Sequence, residues 1–128
     1  MFVHLKTKTI YSLLEGAIFA KALADQCYKF KMPAVGIADR ANLFGALEFS
    51  EVLSDNGIQP IIGCQLPMSL KEADLKKLRA TDRISMLFLA ANELGYRNLM
   101  ELSSKFFLND TYRFEGMSIR EIDKFSDG

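Results

Sequence analysis

Two spacings of apolar residues recur along the chain, one typical of helices and the other of buried strands. Residues 17–30 are predicted to form a helix, because four apolar side chains recur three or four positions apart on one face: Ala20, Leu23, Ala24 and Cys27. A second helix is predicted over residues 45–55, with Gly57 as its C-terminal stop. A third amphipathic helix is predicted from Leu99, Leu102, Ser103 and Phe106, which recur at helical spacing.

Four shorter runs are predicted to form strands, at residues 2–6, 34–37, 58–64 and 84–90. The run at residues 34–37 is apolar throughout, which suits a strand that is covered on both faces. Pro60 has no N–H to donate to a ladder, so we expect the third strand to lie at an edge or to be irregular.

Residues 69–83 differ from the rest because charged side chains surround a few leucines. A solvated helical excursion is the favoured interpretation, and a basic surface for phosphate or a partner is the alternative. After Asn109 the chain is predicted to be irregular until Ser118, which has the capping-box spacing to Glu121 and predicts a short final helix.

The alternation of strands and helices predicts an α/β fold. Repeated strand–helix units favour a parallel sheet with right-handed crossovers. Periodicity alone fits either an open doubly wound sheet or half of a barrel. In a barrel of this kind, functional side chains gather where the strands end, which draws attention to Lys6, Lys8, Asp39, Arg40 and Gln65.

Composition narrows the functional classes only slightly. The 128 residues include 16 basic and 16 acidic side chains, so the formal net charge is zero and gives no global indication of nucleic-acid binding. Cys27 and Cys64 are far apart and lie in apolar surroundings, so both are expected to be buried free thiols in a reducing compartment. Neither a signal peptide nor an apolar run long enough for a membrane span is present, so a cytoplasmic location is expected.

Several motifs in order identify a family. Residues 2–16 read FVHLKTKTIYSLLEG, residues 33–40 PAVGIADR and residues 42–49 NLFGALEF, followed by GIQPIIGC at 57–64 and by LFLAAN at 87–92 with GYRNLM at 95–100. Together they resemble the start of the PHP (polymerase and histidinol phosphatase) domain of bacterial replicative DNA polymerase III alpha subunits. The resemblance implies a distorted seven-stranded barrel, of which residues 1–128 would form the N-terminal half. We therefore expect the chain to be part of a longer polymerase rather than a short natural protein.

The same resemblance implies that a metal site has been lost. Lys6, Lys8 and Arg40 stand where the family typically has histidines, Gln65 stands where it has glutamate, and Ser85 aligns with a further histidine. Ammonium and guanidinium groups only donate hydrogen bonds, so they cannot ligate a metal. The carboxylates that remain near this site in the motif pattern are Asp39, Glu15 and Glu48. His4 resembles a position that precedes the motif and is expected to be structural.

Two hypotheses concern these charged residues. In the first, Lys6, Lys8 and Arg40 neutralise the three carboxylates, so that an ion-pair network replaces metal coordination. In the second, they are exposed side chains that have drifted after function was lost. The first hypothesis predicts that replacing Asp39 lowers stability markedly.

The resemblance implies a non-catalytic structural and partner-docking module, which needs no cofactor. Its partners would be the rest of the alpha chain and the proofreading exonuclease subunit. The parent enzyme would synthesise DNA with magnesium through other regions. The alternatives are a metal-dependent phosphoesterase, pyrophosphatase or proofreading exonuclease with residual activity, and an anion- or DNA-binding pocket formed by Lys6, Lys8 and Arg40.

Overall fold

The computed structural model describes residues 2–69 and 84–128, so most of the predicted charged excursion at 69–83 lies outside the described residues. The described elements follow one another along the chain, three of them strands and five of them helices: α1 (Ala20–Lys29), β1 (Ala34–Arg40), α2 (Ala46–Asp55), β2 (Gln59–Met68), β3 (Ile84–Leu89), α3 (Glu93–Leu108), α4 (Asp110–Glu115) and α5 (Ile119–Asp123). The predicted α/β class and the main helices are therefore confirmed.

The sheet has the order β1-β2-β3 and is mixed. β1 and β2 are parallel, in a register that runs from Ala34 opposite Gln59 to Arg40 opposite Gln65. β3 is antiparallel to β2, so the prediction that all strands are parallel is wrong for this pair. The apolar run at 84–90 indicates a strand but carries no information about its direction, which depends on how the preceding segment returns to the sheet.

β2 lies between its two neighbours in the sheet order, but at Pro60 it has only one of them, so the expected edge position holds locally. β3 pairs only with the later part of β2, from Gly63 to Met68. At Pro60 the strand is paired with β1 alone, opposite Val35. A residue without an N–H is tolerated there because no second ladder needs that donor.

The N-terminal segment runs beside β1 without forming a full strand. Three backbone hydrogen bonds join the two: Gly36 N–H donates to the His4 carbonyl at 2.6 Å, Thr7 N–H to the Gly36 carbonyl at 3.0 Å, and Ala38 N–H to the Thr7 carbonyl at 2.8 Å. Glycine is required at position 36, because an added Cβ would lie 2.6 Å from the Leu5 carbonyl oxygen. The predicted strand at 2–6 is thus present only as an extended segment in parallel contact with β1.

Two apolar clusters stabilise the described residues. The first joins α1 and α2 to β1 through buried side chains such as Leu23, Cys27 and Phe49. The second packs α3 against the later part of β2, with Leu102 and Leu66 almost fully buried. In the described part of the chain no helix is both long and apolar enough to cross a membrane.

The C-terminal region contains one predicted helix and one that the sequence did not reveal. Ser118 caps α5, and its hydroxyl accepts the Glu121 N–H at 3.2 Å, as the capping-box spacing predicts. α4 was expected to be irregular, but the Asn109 side chain accepts the Tyr112 N–H at 3.3 Å and starts this helix. None of the six residues of α4 is buried, so its sequence has no apolar face to indicate a helix.

Candidate functional site

Three neighbouring segments bring most of the predicted site residues together. Lys6 and Lys8 lie on the N-terminal segment on either side of Thr7, which is bridged to Ile37 of β1. Arg40 ends β1 and lies opposite Gln65 of β2. Alternation along the extended backbone puts Lys6, Lys8, Arg40 and Gln65 on one face of these paired segments and Asp39 on the other.

Glu15 is the carboxylate that pairs with the cations. Lys8 donates to its Oε2, and Arg40 Nη1 donates to its Oε1 at 2.8 Å. The pKa of Glu15 is lowered, mainly by the hydrogen bond from Lys8; burial is the next-largest effect and opposes it, and the hydrogen bond from Arg40 adds to the lowering. All three side chains remain partly in water, with exposed fractions of 27% for Lys8, 28% for Glu15 and 54% for Arg40.

A tight loop carries Glu15 to this position. Gly16 is required there, because an added Cβ would lie 2.7 Å from the Lys8 carbonyl oxygen and closer still to that of Thr9. Leu14, which precedes Glu15, has φ of 63° and is 98% exposed. A branched apolar residue is uncommon in this left-handed conformation, so the loop carries local backbone strain.

Asp39 has quite different partners. It is 3% exposed, and its carboxylate accepts three hydrogen bonds: from Thr9 N–H at 2.7 Å, from the Thr9 hydroxyl at 2.7 Å and from the Ser12 hydroxyl at 2.5 Å. Ser12 in turn accepts the Arg40 N–H at 3.1 Å. The hypothesis that Asp39 is neutralised by the three cations is therefore wrong: neutral donors satisfy this buried carboxylate.

Glu48 also lies outside the ion-pair cluster. Its Oε2 accepts the Tyr11 hydroxyl at 2.8 Å, and this hydrogen bond is the main reason that the pKa of Tyr11 is raised. Asn42 ties the same loop to the end of β1, since its Nδ2 donates to the Tyr11 and Arg40 carbonyls at 3.1 and 3.0 Å. These contacts hold the loop of residues 11–16 against both β1 and α2.

The remaining predicted positions make fewer contacts. Lys6 is exposed and forms no ion pair or hydrogen bond with another described residue. Gln65 is 8% exposed, and its Oε1 has no hydrogen-bond partner among the described residues. Ser85 is exposed on β3 opposite Pro67, two residues beyond Gln65 along β2, so it lies at the margin of the cluster.

Comparison with known proteins gives the family of this chain. The family model described as "PHP domain" matches residues 4–127. The chain belongs to the PHP family.

Among curated proteins, the PHP chain is similar to DNA polymerase III alpha subunits. It is 49% identical over 108 residues to the alpha subunit from Caulobacter vibrioides, and the aligned region covers 84% of this chain and 9% of that protein. It is 35% identical over 129 residues to the alpha subunit from Borreliella burgdorferi, and this aligned region covers 99% of this chain and 11% of that protein. The chain therefore spans about a tenth of the length of these relatives.

A solved structure supports the fold. A crystal structure of a proposed metal-dependent phosphoesterase from Bifidobacterium adolescentis matches the PHP chain with a TM-score of 0.58 and 20% identity, over 83% of this chain and 32% of that one. At this identity the likeness shows the fold alone, which agrees with the predicted partial PHP barrel.

Sequence reasoning about the PHP chain missed the hydroxyl donors to Asp39. Thr9 is fully buried and Ser12 is 1% exposed, yet neither was singled out as a partner of the site. One signal was available, since a carboxylate that ends a fully apolar strand must be satisfied by nearby donors. Hydroxyl residues one and four positions beyond Lys8 were suitable candidates.

The chemistry of the PHP site follows from these contacts. Within residues 2–69 and 84–128, no group of three or more histidine, cysteine, aspartate or glutamate side chains has the arrangement needed to hold a metal ion. The clustered side chains at the strand ends instead form a partly exposed set of two cations around one carboxylate, next to a buried aspartate that accepts three hydrogen bonds.

Proposed function

We propose that this chain is a non-catalytic structural and partner-docking module, the N-terminal part of the PHP domain of a DNA polymerase III alpha subunit. Within it, residues 1–128 form one unit whose ancestral metal site is degenerate. The positions that have changed are Lys6, Lys8, Arg40, Gln65 and Ser85, with Asp39, Glu15 and Glu48 as the carboxylates around them.

The sharing of Glu15 by Lys8 and Arg40 carries this proposal. A metal ligand must offer a lone pair, and ammonium and guanidinium groups have none. Both cations also form ion pairs with Glu15, the carboxylate that would otherwise be available to a metal ion. The lone pairs of Asp39 already accept three hydrogen bonds, so a metal would have to break them. The residues present therefore do not fit a bound metal ion, and no hydrolytic step is assigned to them.

A docking role is supported by exposed apolar side chains beside the site. Four large ones are at least 71% exposed: Leu13, Leu14, Phe44 and Leu47. Their segments touch, because Tyr11 donates to Glu48 and Asn42 donates to the Tyr11 carbonyl. Apolar side chains that are exposed close together are a common feature of protein interfaces.

The proposal also covers the parent protein. DNA synthesis with magnesium belongs to other parts of the alpha chain, which acts on DNA in the cytoplasm. The partners of the module are then the rest of that chain and the proofreading exonuclease subunit, and the module itself needs no cofactor.

Metal content tests the loss of the site. The chain is incubated with zinc, manganese and magnesium, desalted and subjected to elemental analysis, and far less than one equivalent is expected. A variant carrying Lys6→His, Lys8→His, Arg40→His and Gln65→Glu is the matched comparison and is expected to gain zinc, since imidazole and carboxylate supply lone pairs. One or more equivalents in the unaltered chain, abolished by Asp39→Ala, contradict the proposal.

Binding of the exonuclease subunit tests the docking role. The affinity of the chain for that subunit is measured by surface plasmon resonance, together with the variants Leu14→Ala and Leu47→Ala. Each is expected to weaken binding about tenfold, the effect of losing about 1.4 kcal/mol. Leu108→Ala is the control, because Leu108 is 87% exposed at the end of α3. Equal effects of all three substitutions, or no binding at all, count against docking at this surface.

A further inference from the structure

β3 has one edge that no other described strand covers. It pairs with β2 on one side, and among residues 2–69 and 84–128 no strand pairs with its other side. The outer side of β1, in contrast, is bonded to the N-terminal segment through Thr7 and Gly36. An uncovered edge presents a row of backbone N–H and C=O groups with which another extended strand can pair.

The alternation of the antiparallel ladder shows which residues face this edge. Ala90 donates its N–H to the Ile62 carbonyl of β2 at 2.9 Å, so every second residue of β3 before it also bonds to β2. The residues between them are Ser85, Leu87 and Leu89. Their N–H and C=O groups therefore point away from β2, toward the uncovered edge.

One contact at the end of this edge supports the assignment. Ala91 follows Leu89 in the same alternating row, and its N–H donates to the Gly128 carbonyl at 2.6 Å. Extended backbone therefore already bonds to the next N–H of this row. The N–H and C=O groups of the three preceding residues in the row are positioned to bond to a further strand in the same way.

The side chains of β3 also suit contact with another strand. Its sequence, ISMLFL, contains no charged residue and no proline, which are residue types that natural edge strands use to prevent pairing. On one face, Ile84 and Met86 are 44% and 43% exposed. Phe88 on the same face is only partly buried against the second apolar cluster. A strand paired with β3 would cover this apolar surface.

We propose that two copies of this chain form a dimer by pairing their β3 strands in antiparallel orientation, about a two-fold axis at Leu87. In this register Leu87 lies opposite Leu87, and Ser85 of each copy lies opposite Leu89 of the other. The outward N–H and C=O groups of these three residues then bond reciprocally. On the other face, Met86 of each copy meets Phe88 of the other, so the second apolar cluster continues across the interface.

Three features favour a second copy as the occupant of this edge. The formal net charge of the chain is zero, so no long-range repulsion opposes self-association. Every side chain that faces another across the axis is uncharged, so no like charges are opposed. Each copy uses the same edge, so the assembly closes at two chains. The interface contains none of the exposed apolar residues assigned to docking and does not depend on the loss of metal.

Analytical ultracentrifugation over a range of concentrations measures the dissociation constant of the dimer. The unaltered chain is expected to pass from one to two chains as its concentration rises. Leu87→Lys is expected to weaken this association about tenfold, because it places two ammonium groups opposite each other at the axis. Leu108→Lys is the matched control and should leave it unchanged, since Leu108 is 87% exposed at the end of α3. Thermal unfolding verifies that both variants are folded.

Two cysteine variants test the register and keep the proposal falsifiable if Leu87→Lys does not fold. At the axis, Leu87→Cys places the two Cα atoms about 5.5 Å apart, a distance that a disulfide can span. In Ser85→Cys the two thiols lie four positions apart along the strands, about 13 Å, which is too far. Mild oxidation should therefore crosslink the first variant and not the second. The natural thiols Cys27 and Cys64 are buried, so the unaltered chain supplies the baseline.

Three results would overturn the proposal. One is an unaltered chain that stays monomeric at every concentration, which would leave the edge of β3 to another part of the alpha chain. Another is a dimer that Leu87→Lys and Leu108→Lys weaken equally. The third is crosslinking of Ser85→Cys that is as fast as that of Leu87→Cys.

Discussion

Burial determines which partners the carboxylates Asp39 and Glu15 have. Asp39 is almost fully removed from water and is satisfied by an amide and two hydroxyl groups at fixed distances. Glu15 keeps 28% of its side chain in water and pairs with flexible cations. Because a buried charge is costly without hydrogen bonds, the two carboxylates should contribute to stability by different amounts and respond differently to salt.

Replacing Asp39 with alanine is expected to lower the free energy of unfolding by about 3 kcal/mol, because three buried donors lose their acceptor. Urea denaturation measures this loss, which should be nearly the same in low and in high salt, since the donors are uncharged. Thr9→Val removes one hydroxyl donor and should cost about 1 kcal/mol. A loss that largely disappears in high salt would show that Asp39 is held by cations after all.

Replacing Glu15 with glutamine is expected to lower the free energy of unfolding at pH 7 by no more than about 1 kcal/mol, because its pairs are partly exposed. The pKa of Glu15 is lowered on folding, so its contribution is present above the ordinary value of 4.5 and is lost as the pH falls through the folded value. The difference between the two proteins should therefore shrink in acid and in concentrated salt. A difference that persists under both conditions would contradict an ion-pair role for Glu15.

Among the elements, those with a clear apolar period were predictable from the sequence. Leu23 and Cys27 mark α1, and Phe49 and Leu53 mark α2, because burial of one helical face requires this spacing. α4 lacks such a face and depends on its cap, so periodicity could not reveal it. The residues of β3 also do not indicate the direction of the strand, since an apolar strand has the same sequence pattern in both orientations.

Asn92 provides a test at the scale of one helix. Its side chain accepts the Gly95 N–H at 3.1 Å and so caps α3, which has 16 residues and supplies much of the second apolar cluster. Asn92→Ala should lower the free energy of unfolding by about 1 kcal/mol, while Asn92→Asp should preserve stability. Equal stability of the alanine and aspartate variants in urea denaturation would exclude a capping role.

In the molecule as a whole, the two thiols are buried in different clusters, Cys27 on α1 in the first and Cys64 on β2 in the second. Burial raises the pKa of both, and that of Cys64 reaches about 12, with a smaller effect from Asp39. Neither thiol should react with a disulfide reagent at pH 8 until the chain unfolds, and both should react in denaturant. Rapid reaction of one thiol in the folded chain would show that its cluster opens independently.

The raised thiol pKa also fixes the sign of an alkaline effect. A group whose pKa is higher in the folded state stabilises the protein below its unfolded value, and this stabilisation is lost as the pH rises through the folded value. For Cys64 the loss should occur between about pH 9 and pH 12. Thermal melts across this range should show a decrease that is smaller in a Cys64→Ala variant.

At the same scale, the sequence predicted which positions would meet but not which charges would pair. Strand ends and two-residue alternation were enough to bring Lys8, Arg40 and Gln65 to one face. The choice of Glu15 rather than Asp39 depends on the path of the loop through Leu14 and Gly16, one with positive φ and the other in close backbone contact. Such a path is a tertiary property that local sequence patterns do not encode.

The sharing of Glu15 makes this surface tolerant of stepwise change. If either Lys8 or Arg40 is replaced, the carboxylate keeps its other partner, and only the loss of Glu15 leaves both cations without an acid. Either of these two basic residues can therefore be exchanged alone without leaving the carboxylate unpaired. Redundancy of this kind lets the two cationic positions vary independently of each other, and mutagenesis can reproduce each single step.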